Sequence, residues 1–168
     1  VRVGLEHPLE VEVLAWGRDR TVVLLDLKED GRAFADAVAE EVRRFGNPEK
    51  VVIGVRSPRQ ATEFHERLPE CRQMGFMPAP EDIEAFAEAG VDLLRLWLNW
   101  LEQAPTLAAR VRKAGKLFMV NGSSGNPTET RRLMQFAPDW VLIDDIPQFR
   151  RSLIASVLSD TSAAAGLE

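Results

Sequence analysis

The 168 residues carry 21 lysines and arginines against 26 aspartates and glutamates, a formal charge of −5, with 45% apolar and 28% charged residues. That is the make-up of one folded domain with a real core, and its acidic balance excludes a nucleic-acid coat or a polybasic membrane clamp. The single cysteine, Cys71, excludes an internal disulfide, and no apolar run approaches the length of a membrane span.

In chain order, a leading helix over Leu9 to Trp16 precedes a strand at Val22-Val23-Leu24-Leu25. Phe34, Val38, Val42 and Phe45 then mark one face of a helix, which Gly46-Asn47-Pro48 stops. Val51-Val52-Ile53 is a second strand, and Ser57-Pro58 supplies a capping hydroxyl and an N1 proline for the next helix. A weaker strand, Gln73-Met74-Gly75-Phe76, leads to a helix opened by Pro80-Glu81-Asp82-Ile83 and closed by Gly90. Leu93-Leu94-Arg95-Leu96-Trp97 is followed by a helix from Ala104 to Ala114, and Leu117-Phe118-Met119-Val120 by one that Asn126-Pro127 begins. Trp140-Val141-Leu142-Ile143 is the last strand.

Short apolar runs alternating with amphipathic stretches predict parallel strands with right-handed helical crossovers. Strand starts near residues 21, 51, 72, 92, 116 and 140 recur about every 24 residues, a compact unit that favours a barrel over a doubly wound sheet, and no dinucleotide or P-loop glycine signature is present. The expected fold is α/β, an incomplete TIM-type (β/α) barrel of about six βα units of eight. The domain is expected over 1–158, with 159–168 a flexible tail. No signal-peptide pattern is present, and a cytoplasmic location is expected.

Strand alternation sorts the side chains. Val22, Leu24, Asp26 and Lys28 share one face and Val23, Leu25 and Leu27 the other, so Asp26 and Lys28 are expected inside the barrel at its C-terminal mouth. They make either a structural ion pair or a metal-binding carboxylate beside a phosphate-binding cation. Val91, Leu93, Arg95 and Trp97 are likewise expected inward, the last two as a floor for an anionic or polyol ligand or as a packed aromatic and its cation. Asn121 ends its strand, and Gly122-Ser123-Ser124-Gly125-Asn126 is either a phosphate loop at a helix N-terminus or an ordinary polar loop. One of Asp144 and Asp145 is functional or caps the following helix. His7 and His65 are expected at the surface, and the doublets Arg43-Arg44, Arg131-Arg132 and Arg150-Arg151 on solvated helix faces.

Five segments in order carry a resemblance. Pro8-Leu9-Glu10-Val11-Glu12-Val13-Leu14-Ala15-Trp16 resembles "PTLEEVLAW", Val23-Leu24-Leu25-Asp26-Leu27-Lys28 resembles "(I/V)E(I/L)K", and Val51-Val52-Ile53-Gly54-Val55-Arg56-Ser57 sits where "VVISSF" is common. Leu117-Phe118-Met119-Val120-Asn121 resembles "VWTVN", and Leu142-Ile143-Asp144-Asp145-Ile146-Pro147 resembles "IITDxP". Over residues 8 to 158 the chain resembles the C-terminal three-quarters of a glycerophosphodiester phosphodiesterase. The resemblance implies a TIM barrel that uses a divalent cation, Mg²⁺ or Ca²⁺, to hydrolyse glycerophosphodiesters to an alcohol and glycerol 3-phosphate. It implies Asp26 as a metal carboxylate, Asp where Glu is usual, Lys28 as the lysine beside the phosphate, and Trp97 as an aromatic at the glycerol side. The family's His-Arg-Gly and Glu-x-Asp segments have no counterpart here, so this chain alone is expected to be nearly inactive.

Three readings follow: part of such an enzyme; a non-catalytic degenerate barrel serving as a binding or assembly module; and an unrelated phosphate-binding barrel built on the Gly122 to Asn126 loop. Thr21 to Leu27 and Trp140 to Ile143 are expected as open apolar edges, paired with a second copy or with a missing N-terminal segment.

Overall fold

A computed structural model describes residues 2–3 and 9–165, with side chains over 11–157. His7 and the closing Leu167-Glu168 lie outside the described residues. The chain divides into two compact units, Val1–Leu94 with Ala114–Lys116, and Arg95–Lys113 with Leu117–Glu168.

In the first unit the order is β1 (Arg2–Val3), α1 (Leu9–Gly17), β2 (Val23–Leu27), α2 (Arg32–Phe45), β3 (Val51–Val55), α3 (Pro58–Arg67), β4 (Arg72–Gly75), α4 (Ile83–Glu88) and the start of β5 (Leu93–Trp97). Strands β1 to β5 pair in parallel and in chain order, with Asp26 beside Gly54, Gly54 beside Met74, and Met74 beside Leu93. In the second unit come α5 (Leu98–Gln103), α6 (Thr106–Lys113), β6 (Leu117–Asn121), α7 (Pro127–Met134), β7 (Trp140–Leu142) and α8 (Ile146–Ala165). There β6 and β7 pair in parallel through Met119–Trp140 and Asn121–Leu142. Parallel strands that take their places in chain order with a helix after each are the repeat of a (β/α) barrel. The fold is an incomplete TIM-type barrel.

The helix-covered faces form the core. Val23, Leu25 and Leu27 of β2 are buried, whereas Leu24 and Asp26 on the opposite face are half-buried. Phe34, Val38 and Val42 of α2 are likewise buried, each such side chain contributing about 1.5–3 kcal/mol of apolar burial. Three helix starts and stops follow local chemistry. Ser57 accepts a hydrogen bond from Gln60 N at 3.1 Å and Asn126 from Thr128 N and Glu129 N, each followed by proline at N1. Gly90, at φ +91°, closes α4.

Three expectations need correction. The strand expected over Thr21 to Leu27 is not an edge, because β1 pairs with it at Asp26 and Leu27. The helix expected to open at Pro80 begins with a 3₁₀ turn over Pro80–Asp82, and α4 proper starts at Ile83. The helix expected from Ala104 starts at Thr106, and a further helix, α5, follows directly from β5.

Candidate functional site

In the first unit, Asp26 is the penultimate residue of β2 and Lys28 follows the strand, both at its carboxyl end. Asp26 Oδ2 accepts a hydrogen bond from Lys28 Nζ. Its other oxygen, Oδ1, accepts from Arg56 Nη2 at 2.6 Å. Arg56 lies just past β3 on the face shared by Gly54 and Asp26, a placement that parallel register imposes. It is held from several sides. Its Nε donates to Leu27 O at 2.8 Å, its backbone N–H donates to Gln60 Oε1 at 2.7 Å, and its guanidinium lies 5.4 Å from the centre of the Phe76 ring. Gln60, buried in α3, also donates through Nε2 to Glu29 O at 2.9 Å, tying the loop after β2 to the same corner. Glycine at 54 makes room for this stack, since a methyl there would overlap the Phe76 ring. Beyond the corner Arg59 pairs with Asp30.

The resemblance implies a divalent cation at this corner. A hard cation needs about six or more oxygens, several of them free carboxylate oxygens. Here both oxygens of Asp26 are engaged by cationic nitrogens, and among the described residues no three acids, histidines or cysteines stand close enough to share an ion. As the side chains stand, the corner does not fit Mg²⁺ or Ca²⁺. Lys28 and Arg56 against Asp26 leave it with one excess positive charge.

In the second unit, the Arg95 guanidinium stacks 4.1 Å from the centre of the Trp97 ring, and Trp97 is 38% exposed. Both lie on one face of β5 by alternation. Asn121 ends β6, and its Oδ1 is buried without a hydrogen-bond partner among the described residues.

The loop from Gly122 to Asn126 is not open for phosphate. Glu129 fills it, Oε1 accepting from Ser123 N at 2.8 Å and Ser123 Oγ at 2.9 Å, and Oε2 from Gly125 N at 2.7 Å and Ser124 Oγ at 3.0 Å. Burial pushes the Glu129 carboxyl up, but the Gly125 N–H, the two serine hydroxyls and the Ser123 N–H together bring it below the usual carboxylate range. The reading that made this loop the phosphate site is thereby corrected: its anion is built in. Asp145 caps α8, Oδ1 accepting from Gln148 N at 2.8 Å. His65 is exposed near the end of α3, and Arg132 forms a two-pronged pair with Glu102 on the helix surface.

Sequence reasoning singled out Asp26, Lys28, Arg95, Trp97 and Asn121 as candidates and gave no role to Arg56. The register supplies what the sequence did not: counting back from Arg56 by twos reaches Gly54 and Val52, the register partners of Asp26 and Leu24.

The (β/α) architecture has solved counterparts. A protein from Silicibacter pomeroyi, assigned as a glycerophosphoryl diester phosphodiesterase, is 22% identical with a TM-score of 0.69, the match covering 88% of this chain and 55% of that one. A glycerophosphodiester phosphodiesterase from Agrobacterium tumefaciens is 21% identical at a TM-score of 0.64, covering 82% and 58%. The N-acetylmannosamine-6-phosphate 2-epimerase from Clostridium perfringens is 13% identical at 0.58, covering 83% and 66%. These likenesses establish the fold, and the chain spans little more than half the length of the two phosphodiesterases. No protein-family model and no curated protein matches the sequence.

Proposed function

We propose that this chain is part of a hydrolase of the glycerophosphodiester phosphodiesterase kind, contributing to cleavage of a glycerophosphodiester into an alcohol and glycerol 3-phosphate. What supports the reading is an acid and an amine, Asp26 and Lys28, side by side at the carboxyl end of a strand in a fold shared with those enzymes. In this reading Lys28 steadies the phosphate oxygens, while Arg95, Trp97 and Asn121 bind the substrate, Trp97 at its glycerol side. Diester hydrolysis also needs an activated nucleophile and a proton for the leaving group, and His65 on an exposed helix supplies neither. A Mg²⁺ or Ca²⁺ ion in the complete enzyme would need donors beyond Asp26. Strands from a second copy or from the rest of the barrel would complete the sheet at β7.

The engagement of both Asp26 oxygens favours a second reading, a barrel that binds phosphoesters without cleaving them. A chromogenic phosphodiester with added Mg²⁺ or Ca²⁺ is expected to give equal, negligible rates for this chain and for Asp26→Ala. Glycerol 3-phosphate is expected to shift backbone resonances around residues 26–28, and Lys28→Ala to abolish those shifts. Glycerol 3-phosphate that leaves those resonances unmoved rejects both readings.

A further inference from the structure

The side-chain chemistry of the corner between β2 and β3 points beyond a defective metal site. We infer that Arg56 stands in for the cation: Lys28 and Arg56, oriented by Asp26, form a metal-independent site for a phosphate oxyanion. The inference rests on the phosphoester reading above and names how that ligand is held.

Arg56 meets the requirements of a preorganised anion donor. Its Nε is fixed by Leu27 O, one Nη2 proton by Asp26 Oδ1, and its plane by the Phe76 ring. Nη1 is bonded to no described residue, so the fork keeps donors for a ligand while its direction is set. Lys28 has three donors and gives one to Asp26. Both cations remain open to solvent, at 38% and 39% side-chain exposure, with Asp26 beneath them at 26%. A fork and an ammonium group flanking one carboxylate offer charge-assisted hydrogen bonds to two phosphate oxygens, and among the described residues no acid besides Asp26 bonds to either cation. Asp26 is then a positioning residue. Its carboxylate aims the two cations and repels the ligand slightly.

This assignment fixes the sign of one substitution. A metal ligand changed to its amide loses the metal and with it the anion. A carboxylate that only aims two cations, changed to its amide, keeps an oxygen for Arg56 and sheds a negative charge. The test is titration of the chain with inorganic phosphate, followed by amide chemical shifts in EDTA and again with excess Ca²⁺. Saturable binding is expected in EDTA, unchanged by Ca²⁺, with Arg56→Ala and Lys28→Ala each weakening it about tenfold or more and Arg56→Lys recovering part of the loss. Asp26→Asn is expected to tighten it. All four side chain changes are at exposed or half-buried groups, and matching thermal melts check that the variants fold. Binding that EDTA abolishes, Asp26→Asn weakening as much as Arg56→Ala, or no saturable phosphate binding overturns the inference. Metal-dependent binding would leave the hydrolase reading intact, and failure of the hydrolysis assay in a completed barrel would leave EDTA-resistant binding intact.

Discussion

Glu129 is a carboxylate that behaves as a bound anion. Two backbone N–H groups and two hydroxyls converge on it, and their preference for the charged form outweighs its partial burial. Because its folded value lies below the ordinary one, its contribution to stability is complete above the unfolded carboxylate range and is lost as pH falls through the folded value. Glu129→Gln is expected to lower stability by about 1 kcal/mol near neutral pH and to flatten the acid limb of a melting-temperature profile taken from pH 7 to 3. An unchanged acid limb in the variant would show that the loop gains nothing from the charge. At this scale the sequence was legible in part. Gly122 to Asn126 suggested a phosphate loop or an ordinary polar one, whereas the group it holds, Glu129, stands on the following helix, where nothing in a Gly/Ser run signals it. Arg56 escaped for a different reason. β3 is buried on both faces, so its residues show no polar alternation from which to count forward.

Between elements, an aspartate repeats one job. Asp92, just before β5, accepts a hydrogen bond from Gln73 N at 2.7 Å, while its own N–H donates to Gln73 O at 3.0 Å. Asp139, just before β7, does the same to Phe118, accepting at 3.0 Å and donating at 3.1 Å. Each pins the start of its strand to the neighbouring strand, and so sets the register before the ladder begins. Asp92→Ala is expected to cost about 1 kcal/mol in urea unfolding, and Asp92→Asn, which keeps the acceptor, less than half of that. Equal losses for both would assign the effect to charge. The caps at Ser57 and Asn126 and the stop at Gly90 were readable because each acts within four residues. The α5 helix was not, because Leu96-Trp97-Leu98 runs from strand to helix with no turn residue to mark the change. β1 was hidden because two residues carry no period.

For the molecule as a whole, the recurrence of strand starts was enough to choose a barrel repeat over a doubly wound sheet, since that choice rests on connection length and needs no side-chain detail. The burial of Cys71 reports on the integrity of the first unit. It sits behind the start of β4, 6% exposed, and burial pushes its thiol up to about 12. At pH 8 roughly one molecule in ten thousand would carry the reactive thiolate. A disulfide-forming thiol reagent is therefore expected to react in the folded chain no faster than the first unit opens, with the rate rising in step with urea. Immediate stoichiometric labelling without denaturant would mean that β4 is not packed as described.

The paired aspartates have a consequence for how such a fold can grow. A βα segment that brings its own alignment mark can be copied, deleted or spliced beside a new neighbour without renegotiating which residue lies opposite which. Ancestry by duplication then needs only the mark to be inherited, while the loops at the other end drift toward whatever chemistry they acquire.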